Sequence, residues 1–236
     1  REFIHGSRAT NPVDQWPDPD VYVNYMGQSL SGSENRNINR TYPGKADGTL
    51  TEMMSYGIVQ LINTENIDVT VDLHEASPEY PVINALIAHE RAMNLASNVV
   101  VDMQMEGVQI SLEPSPTDLR GLTHRELGDH TDTLALLMEA PNPAQGRLRD
   151  RTDEALVLTG KSETYVKAGE IGQLYVPYDE NGWPIEVRCA RHVFGIERIL
   201  ANYSEMYEEP IIVTGMPSYD ELVKNGMGPY LNEPTT

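Results

Sequence analysis

Residues 67 to 76 read IDVTVDLHEA. Ile67, Val69, Val71 and Leu73 alternate with Asp68, Thr70 and Asp72, the two-residue period of a β-strand, so His74 is expected just past the carboxyl end of that strand. Asp72-Leu73-His74-Glu75 then either marks the rim of an active site or is simply where a strand leaves its sheet. Immediately upstream, Thr49 with Glu52 three residues later fits a capping box, and Met54, Ile58, Leu61 and Ile62 recur at helical spacing along one face. A helix is expected from Thr49 to somewhere between Asn63 and Asn66.

Further out, NALIAHERAMNLAS (84–97) reads as a second helix and GVQISLE (107–113) as a short strand. EPSPTDLRGLTHRELGDHTD reads as a long polar connection. TLALLMEAPNP then shows the continuous apolar run of a strand covered on both faces, ending at Glu139 before a proline-rich turn. Residues 157–182 suggest a strand or hairpin insertion. Pro184 opens a helix to about Tyr203, and EPIIVTGMPSYDELVKNG closes the chain as a peripheral strand and a short helix. Residues 6–48, rich in Gly, Pro, Asn, Asp and Ser, read as irregular loops with one short strand at Val21–Tyr25, packed by Trp16, Tyr22, Tyr25 and Tyr42. The economical reading is one α/β domain over residues 1–236 with an insertion at 157–182. Open α/β sheets place their sites outside the carboxyl ends of the strands, so His74 and Glu139 would face one crevice if their strands are neighbours.

Composition narrows the partners. The 236 residues are 39% hydrophobic, enough for a real core, and 17 Lys+Arg against 36 Asp+Glu give a formal charge of −19. Such a field repels phosphate, which argues against nucleic acid or an anionic membrane as a general partner. Cys189 is the single cysteine, so no intrachain disulfide forms, and no apolar run is long enough to span a bilayer. The chain starts at Arg1 without a methionine or a signal-like segment, which fits a processed product or part of a longer polypeptide. An acidic chain of that kind leans towards an exported protein, periplasmic or extracellular.

The residues that can carry chemistry are Asn39-Arg40, His74 and Glu139. A neutral imidazole is a natural zinc ligand, a glutamate beside metal-bound water can take its proton, and an arginine grips a carboxylate through two parallel hydrogen bonds. Each residue also has a plainer reading: His74 hydrogen-bonded at a strand end, Glu139 satisfied by a neighbour, Arg40 bracing its loop, Asn39 capping a turn. Asp72 either orients His74 or lies at a sheet edge, Glu75 reads as structural and Arg36 as a solvated loop residue. His89, His124, His130 and His192 show no ligand spacing. Arg120, His124 and Arg125, in RGLTHREL, are equally suited to contacting substrate and to solubility, and RLRDR (147–151) reads as a solvated turn.

Taken in order, NINRTYPG, VDLHEA and LLMEAPNP resemble the zinc carboxypeptidase-like hydrolases, the clan that includes succinylglutamate desuccinylase and aspartoacylase. The resemblance covers about the first two-thirds of the chain, with Asn11-Pro12 similar to an Asn-Pro turn of the clan. It implies a mixed, largely parallel sheet flanked by helices and a zinc-dependent hydrolysis of an amide bond next to a carboxylate. It further implies Asn39 and Arg40 as substrate-binding residues, His74 as a zinc ligand and Glu139 as general base. The clan's other two ligands come from a His-x-x-Glu motif ahead of the Asn-Arg loop, and this sequence contains none; His5-Gly6-Ser7-Arg8 offers arginine, which cannot ligate zinc. Either an amino-terminal segment carries that motif, or the protein is a metal-free binding module for a peptide terminus or acidic metabolite. The oligomeric state is not legible.

Overall fold

The computed structural model describes residues 18–231. His5, Asn11-Pro12 and Trp16 lie outside the described residues. The elements are β1 (Val21–Val23), β2 (Ser29–Ser31), α1 (Leu50–Glu65), β3 (Val69–Ala76), β4 (Ala85–Ala88), α2 (Met93–Met105), β5 (Ser111–Pro114), α3 (Thr123–His130), β6 (Leu134–Pro141), α4 (Glu154–Thr159), α5 (Glu163–Glu170), α6 (Ile185–Tyr207) and α7 (Tyr219–Asn225). β1 and β2 pair antiparallel. The other four strands form a mostly parallel sheet flanked by helices, in the order β3-β6-β4-β5. Asp68 O accepts from Leu134 N and Ala76 O from Asn142 N, each at 2.7 Å, so β3 and β6 climb together. Asn84 O and Ala88 O accept from Ser111 N (2.9 Å) and Ser115 N (2.8 Å), which makes β4 and β5 parallel as well. This is the α/β class expected. No helix among the described residues is long and apolar enough to cross a membrane.

The chain divides into two compact units. Residues up to Asp72, with Ala88–Ala92 and Pro114–Leu136, form the first; Leu73–Ile87, Met93–Glu113 and residues from Leu137 onward form the second.

In the first unit the capping box forms as expected: the Thr49 hydroxyl accepts from Glu52 N (3.3 Å) and the Glu52 carboxylate accepts from Thr49 N (2.8 Å). α1 stops at Asn66, which takes the left-handed conformation at φ 51°. Its apolar face differs from the expected one. Val59 and Ile62 are buried with Tyr42, Leu127 and Ala135, and Ile58 packs at the margin of that cluster, whereas Met54 and Leu61 are exposed. Thr51, Glu52 and Ser55 are buried in their place. Glu52 tolerates burial because Tyr22 Oη donates to it at 3.0 Å and Lys45 Nζ lies 3.4 Å away. Ser55 is satisfied by the Thr41 hydroxyl at 2.6 Å and the Thr51 carbonyl at 3.1 Å. The polar connection also departs from expectation, since Thr123–His130 within it is helical with six of its residues buried. Gly128 on this helix lies so close to His89 that an added Cβ would fall 2.2 Å from the imidazole.

Residues 85–88 are a fully buried strand rather than the start of a helix, and the helix begins only at Met93. Four apolar residues fit either element, and here burial among Leu137, Ile87 and Val82 selects the strand. β6 is buried from Ala135 to Met138, as its unbroken apolar run predicts. Residues 157–182, expected as a strand or hairpin, instead hold the end of α4 and all of α5, each capped by a side chain: Asp153 for α4 and Ser162 for α5. α6 begins after Pro184 as expected and packs against α2 and α7. Gly195 lets α6 sit directly on β6, where a Cβ would meet Met138 Sδ at 2.5 Å. The expected strand near residue 212 does not form; 209–214 carry no regular structure before α7.

Candidate functional site

His74 and Glu139 both belong to the second unit. Each lies inside its strand, two residues before the end, where the sequence suggested His74 just past its strand and Glu139 as the last residue of its own. The parallel ladder between β3 and β6 sets them side by side, His74 Nδ1 standing 3.9 Å from Glu139 Oε2. Their side chains are 28% and 11% exposed, so the pair meets solvent at its imidazole end while the carboxylate is mostly enclosed. The distance is within ion-pair range and beyond hydrogen-bond reach.

Glu75 has the structural role expected of it. Its Oε1 pairs with the guanidinium of Arg188, itself 1% exposed, and its Oε2 accepts from Asn142 Nδ2 at 2.7 Å. Arg188 also donates to Trp183 O (3.0 Å) and Val157 O. This ion pair, with Arg188 buried and Glu75 partly exposed, ties the end of β3 to α6 and α4.

His192, on α6, is the residue whose place at this cluster the sequence concealed. It faces the main chain of His74, and both ring nitrogens are buried with no partner at hydrogen-bond geometry among the described residues. Burial pushes its pKa down, and the nearby charge of Glu75 only partly opposes that shift. Its signal in the sequence was weak, because a histidine inside a helix of mixed composition has no ligand spacing to betray it.

Asn39 and Arg40 lie in the first unit, in a short 3₁₀ turn at Ile38–Arg40 capped by the Asn37 side chain. Asn39 Oδ1 accepts from both Thr123 N (2.7 Å) and Thr123 Oγ1 (2.9 Å), so it holds the first turn of α3. The Arg40 guanidinium donates to Asn39 O at 2.6 Å and pairs with no carboxylate among the described residues. Arg36, by contrast, is consumed by Asp18 through two bonds of 2.8 and 2.7 Å.

The RGLTHREL segment spends its charges internally. Arg120 makes two bonds of 2.7 Å to Glu126, which is wholly buried and also accepts from Gly121 N at 2.9 Å. Arg125 binds Glu90 at 2.8 and 2.7 Å and Asp129 at 2.6 Å, while His89 Nε2 lies 3.0 Å from Glu90 and 3.1 Å from Asp129. The Arg125 guanidinium holds Glu90 down to about 2, the largest cause being their hydrogen bonds. His124 is buried, with Nδ1 2.7 Å from Ser115 Oγ.

No three His, Cys, Asp or Glu side chains among the described residues are grouped so as to hold a metal ion. The donor set of a zinc site is therefore not complete within residues 18–231, where His74 is the donor that the resemblance supplies. Compared with known proteins, the chain matches no family model, no curated protein and no solved structure.

Proposed function

We propose that the chain carries the proton-handling part of a hydrolase that cleaves an amide bond next to a carboxylate, of metallocarboxypeptidase or N-acyl amino acid deacylase type. The observation that supports this best is the pairing of His74 with Glu139 on neighbouring parallel strands, 3.9 Å apart and partly open to solvent. Glu139 is placed to take a proton from a water molecule and return it to the leaving amine. Arg40, cationic and without a carboxylate partner among the described residues, is assigned to the substrate's carboxylate, which it can bind through two parallel hydrogen bonds. Asn39 keeps its carbonyl oxygen on α3, so its amide nitrogen is the group assigned to substrate.

The same reading brings zinc, with His74 as one donor. The described residues by themselves do not fit that ion, and the reading requires the remaining donors to come from elsewhere. The Arg40 guanidinium, without a carboxylate partner among the described residues, also supports a second reading, in which the chain binds a peptide terminus or an acidic metabolite through Arg40 without metal and without turnover.

The two are separated with the complete protein and a panel of N-acyl amino acids and short peptides. Hydrolysis that falls at least ~100-fold in Glu139→Gln, with zinc stoichiometry lost in His74→Ala, is expected for the hydrolase. Full amidase activity in Glu139→Gln would overturn it. No turnover, with ligand affinity unchanged by chelator and lost in Arg40→Ala, would establish the metal-free module instead.

A further inference from the structure

α1 packs the first unit and also forms one wall of an open cavity. Tyr56, Gln60 and Asn63 recur along the helix at spacings of four and three, so they share one face. Residues 43–47 form a second wall, and Tyr25 and His130 border the same space of about 460 Å³. All of these residues belong to the first unit. The size is that of a small-molecule site, ~300–1,000 Å³. Its two main walls are held together by backbone. Lys45 N donates to Glu52 O at 3.2 Å, and Gly44, at φ 85°, lies so close to α1 that an added Cβ would fall 2.2 Å from Tyr56 N. The lining side chains are of two kinds. The cations are spent, since Lys45 Nζ lies 3.4 Å from Glu52 Oε1 and His130 Nε2 lies 3.3 Å from Glu126 Oε2, both carboxylates being buried. The hydroxyls of Tyr25 and Tyr56, the carboxamides of Gln60 and Asn63 and the carboxylate of Asp47 make no hydrogen bond among the described residues.

We propose that this cavity binds a neutral saccharide of one or two rings. Charge and hydrogen-bonding capacity together select that class. An anionic ligand would find no uncommitted cation in the lining and would meet Asp47 on a chain of formal charge −19. A cationic ligand could pair with Asp47 but would stand beside Lys45, whose like charge opposes it. An uncharged ligand suffers neither conflict. The uncommitted groups suit one rich in hydroxyls: a hydroxyl donates and accepts, a carboxamide offers two donors and an acceptor, and a carboxylate offers two acceptor oxygens. Gln60, Asn63 and Asp47 can therefore each hold neighbouring hydroxyls of a sugar ring. Tyr25 and Tyr56 are 55% and 36% exposed, and neither packs against another ring among the described residues. Their faces are free for the C–H side of a sugar while their hydroxyls serve its polar edge. This inference is independent of the hydrolytic reading and survives its failure, because none of these residues takes part in that reading.

Ligand-observed NMR of the whole chain tests it, with glucose, galactose, N-acetylglucosamine, maltose and cellobiose as probes and tetramethylammonium and acetate as charged controls. At least one saccharide should bind with a dissociation constant of ~1 mM, the strength expected of an open site with a few hydrogen bonds. Gln60→Ala/Asn63→Ala should weaken that binding at least ~10-fold with the circular dichroism spectrum unchanged, since both side chains are exposed and make no bond within the fold. Tyr56→Phe, which keeps the ring, should bind within ~3-fold of the wild type, and Tyr56→Ala should lose the signal. No binding of any of these saccharides at ~20 mM overturns the proposal. So does a saccharide signal that the double variant leaves intact, or tighter binding of either ion than of every saccharide.

Discussion

Two polar clusters of this protein treat charge in opposite ways. In the first unit, Arg120, Arg125, Glu90, Glu126, Asp129 and His89 lie in a connected set of ion pairs and hydrogen bonds of 2.6–3.1 Å. In the second, His74 and Glu139 stand 3.9 Å apart, and the ring nitrogens of nearby His192 are buried without a partner among the described residues. A buried charge is tolerated when its partners are close and complete, so the first cluster reads as architecture. His74 and Glu139 instead lie side by side on neighbouring strands, partly open to solvent and next to a histidine whose ring nitrogens are buried without a partner at hydrogen-bond geometry among the described residues, and that is where chemistry is to be sought. The residues that looked functional in RGLTHREL belong to the first kind.

The contrast can be broken most severely at Glu126. Glu126→Ala should cost about 2 kcal/mol, because it leaves the buried Gly121 N–H unmet and takes from Arg120, which keeps Asp129, its two-bond contact. Urea denaturation measures it, and a loss below 1 kcal/mol would show the network to be ornamental. Asn39 is intermediate, since it belongs to the architecture and to the proposed substrate contacts at once. Asn39→Ala should lose about 1 kcal/mol with the α3 contact, and Asn39→Asp should restore that stability but not the hydrolysis. Equal recovery of both by Asn39→Asp would reduce Asn39 to a cap.

A smaller effect is expected from acid. Glu90 has its folded pKa depressed from 4.5 to about 2 by Arg125, so its contribution is present above about pH 4.5 and is lost as the pH falls from there towards 2. Its side chain is more than half exposed, which limits the amount to well under ~1 kcal/mol. Thermal melts over that range should show a shallower acid slope in Glu90→Gln; identical slopes would mean the pair with Arg125 contributes nothing. The smallest stability change is expected at His192. Replacing a buried imidazole whose ring nitrogens have no partner at hydrogen-bond geometry among the described residues by leucine should cost nothing or stabilise slightly. If His192→Leu instead destabilises by more than ~1 kcal/mol, the imidazole has a structural partner and the contrast between the clusters narrows.

Much of the fold was legible locally. The Thr49–Glu52 capping box, the alternation through Val69, Val71 and Leu73, the unbroken apolar run of β6 and the proline before α6 each act within a few residues, so the chain announces them wherever they sit. The candidate pair was legible too, as two polar residues interrupting or closing apolar strands, although neither strand stops where its apolar pattern does.

The rest was decided by neighbours distant in sequence. Ala85–Ala88 is a strand because β6 and β5 lie on either side of it, and four apolar residues carry no period that separates strand from helix. α3 hides in a polar stretch because its charges are buried against one another, while charge in a sequence reads as solvent exposure. α1 faces inward with Ser55 and Glu52 rather than Met54 because Thr41 and Tyr22 are there to satisfy them. The sequence by itself determined the starts of α1 and α6 and the presence of β3 and β6, since capping and periodicity are short-range. Only the tertiary structure decided which face of each is buried, and which charges are spent on the fold, because both depend on partners tens of residues away.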